Sequence, residues 1–250
     1  MDDPSQRRAT ARAAQVNRLI DDESPDAPGL AGSSGRLHRL CSALTRALPA
    51  TGVGVSLLTP DHNGGGIVAA SDARSRVLEE LQFTTGEGPC IDAYTTGLPV
   101  LVPDLDDHGT RRWPGYAPAA REHGVRAVFA FPLQVGAARA GALDIYREEA
   151  GSLTDDDLTR ASTFAEVAMG LLVDGQARVG DHRSSSDLDD ALAPRLEVYQ
   201  AQGMVMVDLG VGVDEAMARL RAHAYAEGRP IADIARDIVA GKLTLDRDHP

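Results

Sequence analysis

The last quarter of the sequence can fold only as short helices packed against one another or against a partner. Between Arg195 and Leu243, apolar residues recur at three- and four-residue steps in three successive segments, which is the helical period. Pro230 stands at the start of the third segment and Gly241 directly follows it, as is typical of a helix beginning and end. Isolated helices shorter than about 12–15 residues are marginal in water, so these segments cannot stand alone.

The spacing predicts which face of each helix is apolar. On the first helix we expect one face to hold Leu196, Tyr199, Gly203, Met206 and Gly210. The corresponding residues of the second helix are Val213, Ala216, Met217, Leu220 and Ala224. Those of the third helix are Ile231, Ile234, Ala235 and Ile238. Small or apolar residues that would let the helices pack closely are Ala201, Gly203, Ala216, Leu220 and Ala224.

The same segments carry a resemblance to a known family. The runs QAQGMVMVDLGV, DEAMARLRAHA and GRPIADIARDIVAG resemble the ANTAR domain, a three-helix RNA-binding module of bacterial antitermination regulators. Many members have a basic residue between the small Ala and Gly, where this chain has Gln202. The resemblance implies RNA contacts by basic and planar side chains, which can bond phosphates and stack on bases. The candidates are Arg219, Arg221, His223, Tyr225, Arg229, Arg236 and Lys242.

The charge distribution limits how such a module can bind. Residues 194–245 hold six basic and seven acidic side chains, so nearly all of the net charge of −12 lies on the rest of the chain. An acidic body argues against a protein that simply coats nucleic acid, and we expect modest, salt-sensitive RNA affinity. Pairing two modules in a homodimer would add avidity. Alternatively, Arg229 and Arg236 only pair with Asp233 and nearby acids.

The middle of the chain predicts an α+β domain. A helical apolar face near residues 37–48 is followed by two alternating segments joined by the turn sequence DHNGGG, which indicates a β-hairpin. Further strands near residues 99–102 and 126–147 and a helix after Thr154 complete an antiparallel sheet with flanking helices. The series GEGPC, IDAY, TTG and VPDL from Gly86 to Leu105, with the paired strands Arg126–Arg147, resembles a GAF domain.

These patterns divide the chain into four parts. We predict an N-terminal helix and flexible linker at 1–35, of which the first thirty or so residues are poorly ordered or loosely docked, and a GAF-like sensor domain at 36–175. A linker or connecting helix at 176–194 precedes an ANTAR-like domain at 195–245. This domain is a bundle of three helices. A helix that spans this connection must accommodate Pro194. The pairing resembles GAF and ANTAR domain regulators of bacterial transcription antitermination, of the actinobacterial type.

Few residues suggest chemistry. Cys90 follows Gly-Glu-Gly-Pro near a helix N-terminus, where a thiolate pKa can be lowered, although a small packed residue is the more ordinary interpretation. The seven histidines show no metal-ligand spacing, and the acidic run 104–108 is typical of a solvated loop, so we predict no metal site and no catalytic residue. The GAF-like pocket could hold an unidentified small molecule. Its candidate lining residues are Cys90, His108, Trp113, Tyr116 and Phe129.

The sequence therefore predicts a regulator and not an enzyme. We expect a sensor-controlled, homodimeric protein that binds paired RNA stem-loops and prevents termination, with no certain cofactor. No signal peptide or apolar run of membrane-spanning length is visible, so the expected location is the cytoplasm. Two alternatives stay open: a DNA-binding transcription factor that uses the last helix, and a GAF-fold thiol redox sensor or enzyme that uses Cys90.

Overall fold

The computed structural model of the protein describes residues 4–24, 32–59, 65–179 and 186–246. Within these ranges, some side chains lie outside the description: those of residues 32–33, 108, 110, 176–179 and 186–195. None of the helices formed by the described residues is both long enough and apolar enough to cross a membrane.

The described residues form ten helices and five strands. The helices of the N-terminal and sensor regions are α1 (Pro4–Asp21), α2 (Gly32–Ala47), α3 (Ala73–Thr85), α4 (Pro89–Thr96), α5 (Leu105–Arg112), α6 (Tyr116–Glu122) and α7 (Asp155–Val179). The C-terminal helices are α8 (Ser186–Leu209), α9 (Val213–Glu227) and α10 (Ile231–Val239). The strands are β1 (Gly52–Leu58), β2 (Gly65–Ala70), β3 (Val100–Val102), β4 (Ala127–Val135) and β5 (Ala138–Arg147).

The five strands form one antiparallel sheet in the order β2-β1-β5-β4-β3. Helices α1, α2 and α7 cover one face, and α3 to α6 cover the other. The predicted α+β class, with an antiparallel sheet and flanking helices, is confirmed. Because successive side chains of a strand point to opposite faces, each strand contributes to two different layers.

The two layers differ in polarity. Towards α1, α2 and α7 the strands present only apolar side chains, such as Val53, Val55, Leu143 and Ile145. Towards α3 and α4, β1 and β5 instead present small and polar residues, among them Ser56, Asp144 and Tyr146. The first layer is the main hydrophobic core, and the second contains the candidate site described below.

The N-terminal helix is docked on the sensor domain. Val16 and Ile20 of α1 are buried in the main core, and α1 contacts both α2 and α7. The prediction of a loosely attached N-terminus was therefore wrong for this helix. An amphipathic helix with only two strong apolar residues still binds when a matching groove is available, which the sequence of α1 alone does not reveal.

Helices α8, α9 and α10 form the predicted three-helix bundle. Ile231, Ile234, Ala235 and Ile238 of α10 are all buried, as the spacing predicted. On α9, the buried residues are Ala216, Met217, Leu220 and Ala224, whereas Val213 is half exposed. Helix α8 is continuous from Ser186 to Leu209 and includes Pro194, so residues 186–194 of the predicted connection are helical, whereas residues 180–185 lie outside the described residues.

The predicted inner face of α8 was wrong. The side chains that α8 buries in the bundle are Val198, Ala201, Gln202, Val205 and Leu209. Of the residues predicted to be internal, Leu196, Tyr199, Gly203 and Gly210 are exposed, and only Met206 packs partly buried against the bundle core. A Cβ at Gly203 would meet nothing within 4 Å, so this glycine does not pack against another helix. Apolar residues lie on both sides of α8, and the helical period cannot choose between them.

Close contact between two strands makes Gly141 a sensitive position. A Cβ on Gly141 of β5 would lie 1.9 Å from the Ser56 carbonyl oxygen of β1. We expect Gly141→Ala to lower the free energy of unfolding of the sensor domain by about 1–3 kcal/mol or more, because backbone must move. Urea denaturation followed by circular dichroism measures the change.

Gly170 of α7 is the matched control, because a Cβ there would meet nothing within 4 Å. Gly170→Ala should leave stability unchanged or raise it by roughly 0.5–1 kcal/mol through helix propensity. Equal behaviour of the two variants would contradict the β1–β5 packing described above.

Candidate sensor site and nucleic-acid interface

A buried network of polar side chains lies between the sheet and helix α3. The Ser56 hydroxyl donates to Glu79 Oε2 over 2.5 Å, and the Tyr146 hydroxyl donates to Glu79 Oε1 over 2.7 Å. Gln82 Nε2 donates to Asp144 Oδ2 over 2.5 Å. All five side chains are buried, so the sheet, α3 and their hydrogen bonds isolate two carboxyl groups from water.

Glycines make room for this network. Gly54 is paired with Asp144 in the β1–β5 ladder, and a Cβ at Gly54 would lie 2.1 Å from Glu79 Oε1. Gly88 has φ 145° and would bring a Cβ within 2.3 Å of Gln82 Oε1. Gln82 Oε1 in turn accepts a hydrogen bond from the Cys90 backbone N–H over 2.9 Å. The Gly-Glu-Gly-Pro loop is thus tied to α3 and to the buried carboxyls.

Burial dominates the electrostatics of the network. It raises the pKa of Glu79, and it raises the pKa of Asp144 well above the usual range, with the neighbouring Glu79 charge adding to the shift. No ion pair joins either carboxyl to a basic side chain in the described ranges. Hence the pair retains a proton at pH values at which exposed carboxyl groups are ionised.

Two buried oxygens of this region lack a good partner. Asp144 Oδ1 makes no hydrogen bond, and the Tyr116 hydroxyl, close to Tyr146, makes none of standard geometry. Buried unsatisfied polar atoms are uncommon in proteins and often mark functional sites. A small cavity of about 10 Å³ adjoins the network, between Ser56, Glu79 and the apolar side chains Leu58, Phe83 and Ile91.

The structure brings together only some of the predicted pocket residues. Cys90 lies beside the network, and Trp113 and Tyr116 pack edge to face on the same side of the sheet, with ring centroids 6.4 Å apart. Phe129 does not join them, because its position in β4 points into the main core on the other face. The side chain of His108 lies outside the described residues.

Cys90 does not have the environment predicted for a reactive thiol. It is buried, and burial together with the charges of Asp144 and Glu79 raises the pKa of its thiol well above the usual range. The helix N-terminus does not overcome these effects. Cys41 is also buried in the core and has a raised pKa, and both cysteines are free.

The acidic run after β3 has a structural role. Asp104 caps α5 by accepting a hydrogen bond from the Asp106 backbone N–H over 2.9 Å, and Asp106 pairs with Arg121 and Arg126. Among the described residues, no group of three or more His, Cys, Asp or Glu side chains could hold a metal ion.

Most predicted RNA-contacting arginines take part in ion pairs within the C-terminal bundle. Arg219 pairs with Glu215, and Arg229 pairs with Asp237 over 2.7 Å. The Arg229 hydrogen bond lowers the pKa of Asp237. On α10, Arg236 contacts both Asp233 and Glu197. The pairing predicted as the alternative role of Arg229 and Arg236 is thus present, and each of these exposed pairs contributes little to stability.

Arg221 is different because it contacts the sensor domain. Its guanidinium lies over the ring of Phe83 of α3, 5.8 Å from the ring centroid. It also lies against the loop after α3, where a Cβ at Gly86 would be 2.7 Å from Arg221 Nη1. Phe83 belongs to the hydrophobic core of the C-terminal bundle, so α3 and α9 share a packed interface.

A cleft of about 390 Å³ runs along this α3–α9 interface. Thr85, Glu87 and Gly115 line its sensor side, and Arg221 and Tyr225 line its α9 side. The Glu87 carboxylate accepts hydrogen bonds from the backbone N–H groups of Gly115 and Tyr116. Arg221 and Tyr225 stand four residues apart, so both project from the α9 face that is turned to the sensor.

The remaining candidates lie on the surface or near it. Tyr225 is 58% exposed, Lys242 is exposed, and His223 is half-buried with Nε2 3.8 Å from Glu227. Gln202 is buried, and its Nε2 donates to the Val213 carbonyl over 2.8 Å, tying α8 to the start of α9. The position where many relatives carry a basic residue is therefore part of the bundle interior here.

Comparisons with known proteins agree with this architecture. The family model of the GAF domain matches residues 35–172, and that of the ANTAR domain matches residues 186–239. A search of the curated proteins gives no significant match.

Similar solved structures are GAF domains. One, from a phosphoenolpyruvate-protein phosphotransferase of Coxiella burnetii, is 17% identical with a TM-score of 0.51, over 69% of this chain and 96% of that chain. The GAF domain of an Acinetobacter phosphoenolpyruvate-protein phosphotransferase is 11% identical with a TM-score of 0.50. The match covers 72% of this chain and 99% of that chain. At these identities, the likeness shows the fold alone.

The buried carboxyl pair predicts an unusual dependence of stability on pH. Above roughly pH 5 the unfolded chain ionises both groups, whereas the folded chain retains a proton because the folded-state pKa is raised. Folding then binds protons, so this contribution to stability is present at low pH and is lost as pH rises through the folded-state pKa. Asp144→Asn should therefore reduce the loss of stability that occurs as the pH rises.

We expect the Asp144→Asn variant to become increasingly stable relative to the unsubstituted protein as the pH rises from 5 to 8, because it removes a carboxyl whose pKa is raised by burial. Urea denaturation at several pH values measures this difference. Asp156→Asn, at an exposed site of α7, is the matched control and should leave the slope unchanged. Parallel pH profiles for the Asp144 variant and the unsubstituted protein would contradict the raised pKa.

Proposed function

Because the chain belongs to the GAF domain family and carries an ANTAR domain at residues 186–239, we propose that it is a signal-responsive antitermination regulator. ANTAR domains are RNA-binding antiterminators and GAF domains are sensors, so the general kind of function follows from the architecture. Such an architecture is that of a regulator rather than an enzyme. In the proposed action, the protein binds paired stem-loops in nascent RNA and prevents the terminator hairpin from forming, in the cytoplasm.

The RNA-binding surface in this proposal centres on Arg221 and Tyr225. Tyr225 presents an exposed aromatic ring and Arg221 a planar cation, the two groups that stack on unpaired bases. Arg219, His223, Arg229, Arg236 and Lys242 would supply weaker contacts from the same bundle. Several of these are engaged in ion pairs, so phosphate contacts must compete with carboxylates, and binding should be modest and salt-sensitive.

The contact between Arg221 and Phe83 is the observation that carries the regulatory part of the proposal. It holds a base-stacking group against helix α3 of the sensor domain, which also carries Glu79, one turn before Phe83, and Gln82, directly before it. A signal that moves α3 would therefore change the exposure of Arg221. In the proposed cycle, the docked bundle is the weakly binding state and release of α9 from α3 exposes the RNA-binding surface.

A homodimer would supply two such bundles. The exposed face of α8 has a stripe formed by Leu196, Tyr199, Gly203 and Val207, spaced by three and four residues. Val207 is 81% exposed and Leu196 is 63% exposed. This spacing suits a two-helix seam, and a second copy of the same helix provides a matching surface. Two weakly binding bundles then gain avidity on an RNA with two stem-loops.

The proposal predicts tighter binding to paired stem-loops than to a single one. The protein should bind the two-loop RNA at least about 10-fold more tightly than either isolated loop, because linked sites bind with avidity. Tyr225→Ala should weaken binding by about 1–3 kcal/mol, the value of base stacking, whereas Tyr225→Phe keeps the ring and should bind normally. Fluorescence anisotropy at several salt concentrations measures both effects. Equal affinity for a scrambled hairpin at every salt concentration would contradict the proposal.

The docked state predicts that loosening α3 strengthens RNA binding. Phe83→Ala removes the ring against which Arg221 lies and should raise affinity for the two-loop RNA several-fold, because α9 is released. Val77→Ala is the matched control. Val77 lies half exposed on α3, so this substitution removes apolar volume from the same helix without changing the ring under Arg221. Circular dichroism confirms that both variants are folded. Unchanged or weaker RNA binding by a folded Phe83→Ala variant would contradict regulation through this contact.

A further inference from the structure

We infer that the buried network around Glu79 and Asp144 is a binding site for the protonated primary amine of a small molecule with an apolar tail. The inference rests on the proposed sensor role of the GAF domain, but not on RNA recognition. It names the chemical class of the signal, which the sequence left unidentified.

The first argument is charge. Two carboxyl groups lie side by side with no exposed surface on Asp144 and almost none on Glu79. The groups that surround them are hydroxyls, an amide and a thiol, from Ser56, Gln82, Tyr146, Tyr116 and Cys90. No basic side chain of the described residues forms an ion pair with either acid. A buried negative charge without a partner is costly, so the pair retains a proton, and a bound cation would allow both carboxyls to ionise.

The second argument is the surplus of acceptors. Asp144 Oδ1 makes no hydrogen bond although its residue is fully buried, and the Tyr116 hydroxyl makes none of standard geometry. A primary ammonium group brings three N–H donors and one positive charge. Its charge therefore neutralises a carboxylate, and its N–H groups donate hydrogen bonds to the unsatisfied oxygens. A neutral ligand would supply donors without charge.

The third argument is space. The adjoining cavity of about 10 Å³ reaches Glu79 and Ser56, with Asp144 next to Glu79. It is close to the volume that one water molecule needs, so an ammonium head fits whereas a bulky quaternary head does not. Its other walls are mostly apolar, with Leu57, Leu58, Phe83 and Ile91 among them. The cavity itself has no room for a hydrocarbon tail, so a short tail would lie between these walls only after the Phe83 ring moves.

A metal ion fits this chemistry less well. Ca²⁺ takes six to eight oxygen ligands, and Mg²⁺ requires near-octahedral coordination with several waters, for which the cavity has no room. Within the described ranges, no group of three or more acidic, His or Cys side chains could hold a metal ion. An amine needs only two carboxylates and a hydroxyl, which the network has.

The site is connected to the RNA-binding bundle through α3. Phe83 forms part of the cavity wall and also contacts Arg221 of α9. A tail that enters between Leu58, Phe83 and Ile91 would displace the Phe83 ring. Occupancy of the site would therefore weaken the contact that holds α9 in place, which gives the sensor a route to the bundle.

Thermal unfolding of the full chain tests the inference with defined probes. Butylammonium chloride is compared with butanol, which lacks the charge, and with butyltrimethylammonium chloride, which lacks N–H donors, each up to about 50 mM because stabilisation grows with ligand concentration. We expect a rise of a few degrees in the Tm of the sensor domain with butylammonium only. Glu79→Gln and Asp144→Asn should each abolish the rise, whereas Glu166→Gln, at an exposed site of α7, should retain it.

Each other outcome overturns the inference. A rise with butanol would mean an apolar pocket, an equal rise with the quaternary ion would mean non-specific charge binding, and no rise with any probe would mean no amine site. A rise that persists in both carboxyl variants would place the amine elsewhere. RNA affinity measured on the same samples separates the two proposals, because amine binding and stem-loop binding can each fail while the other is retained.

Discussion

Helix α3 contributes Glu79 to the buried carboxyl pair of the sensor domain and also packs against the RNA-binding bundle through Phe83, one turn further along the helix. Glu79 and Gln82 bond to side chains of the sheet, and Phe83, which directly follows Gln82, packs into the bundle under Arg221. The buried network fixes the position of α3, because each hydrogen bond to a buried carboxyl is costly to break. The rest of the regulatory arrangement depends on where this helix lies.

This dependence explains why the sheet has one apolar and one partly polar face. Apolar side chains towards α1, α2 and α7 form a conventional core that supports the strands. Small and polar residues towards α3, such as Gly54 and Ser56, leave room for long polar side chains from the helix. The first face provides stability, and the second contains the site that we propose to bind the signal and to shift α3.

Much of the architecture could be predicted from the sequence, whereas the site could not. Regular apolar spacing predicted α10 because Ile231, Ile234 and Ile238 recur at three- and four-residue steps on one face. Spacing failed on α8, where Leu196 and Val198 both belong to plausible stripes and only the neighbouring helices decide. Phe129 was misplaced because strand parity depends on register. Glu79 was missed because an acid on an amphipathic helix is ordinarily solvated. The available signal was Asp144, a lone acid inside the apolar run ALDIY.

The central claim is that α9 leaves α3 when RNA binds, and hydrogen–deuterium exchange on the full chain measures this directly. With a paired stem-loop RNA, the account predicts slower exchange in α9 around Arg221 to Tyr225. It also predicts faster exchange in the sensor segment 82–88, which loses its cover. Slower exchange in α9 with an unchanged sensor segment, or protection of both, would show that the bundle binds RNA while still docked, and would contradict the account.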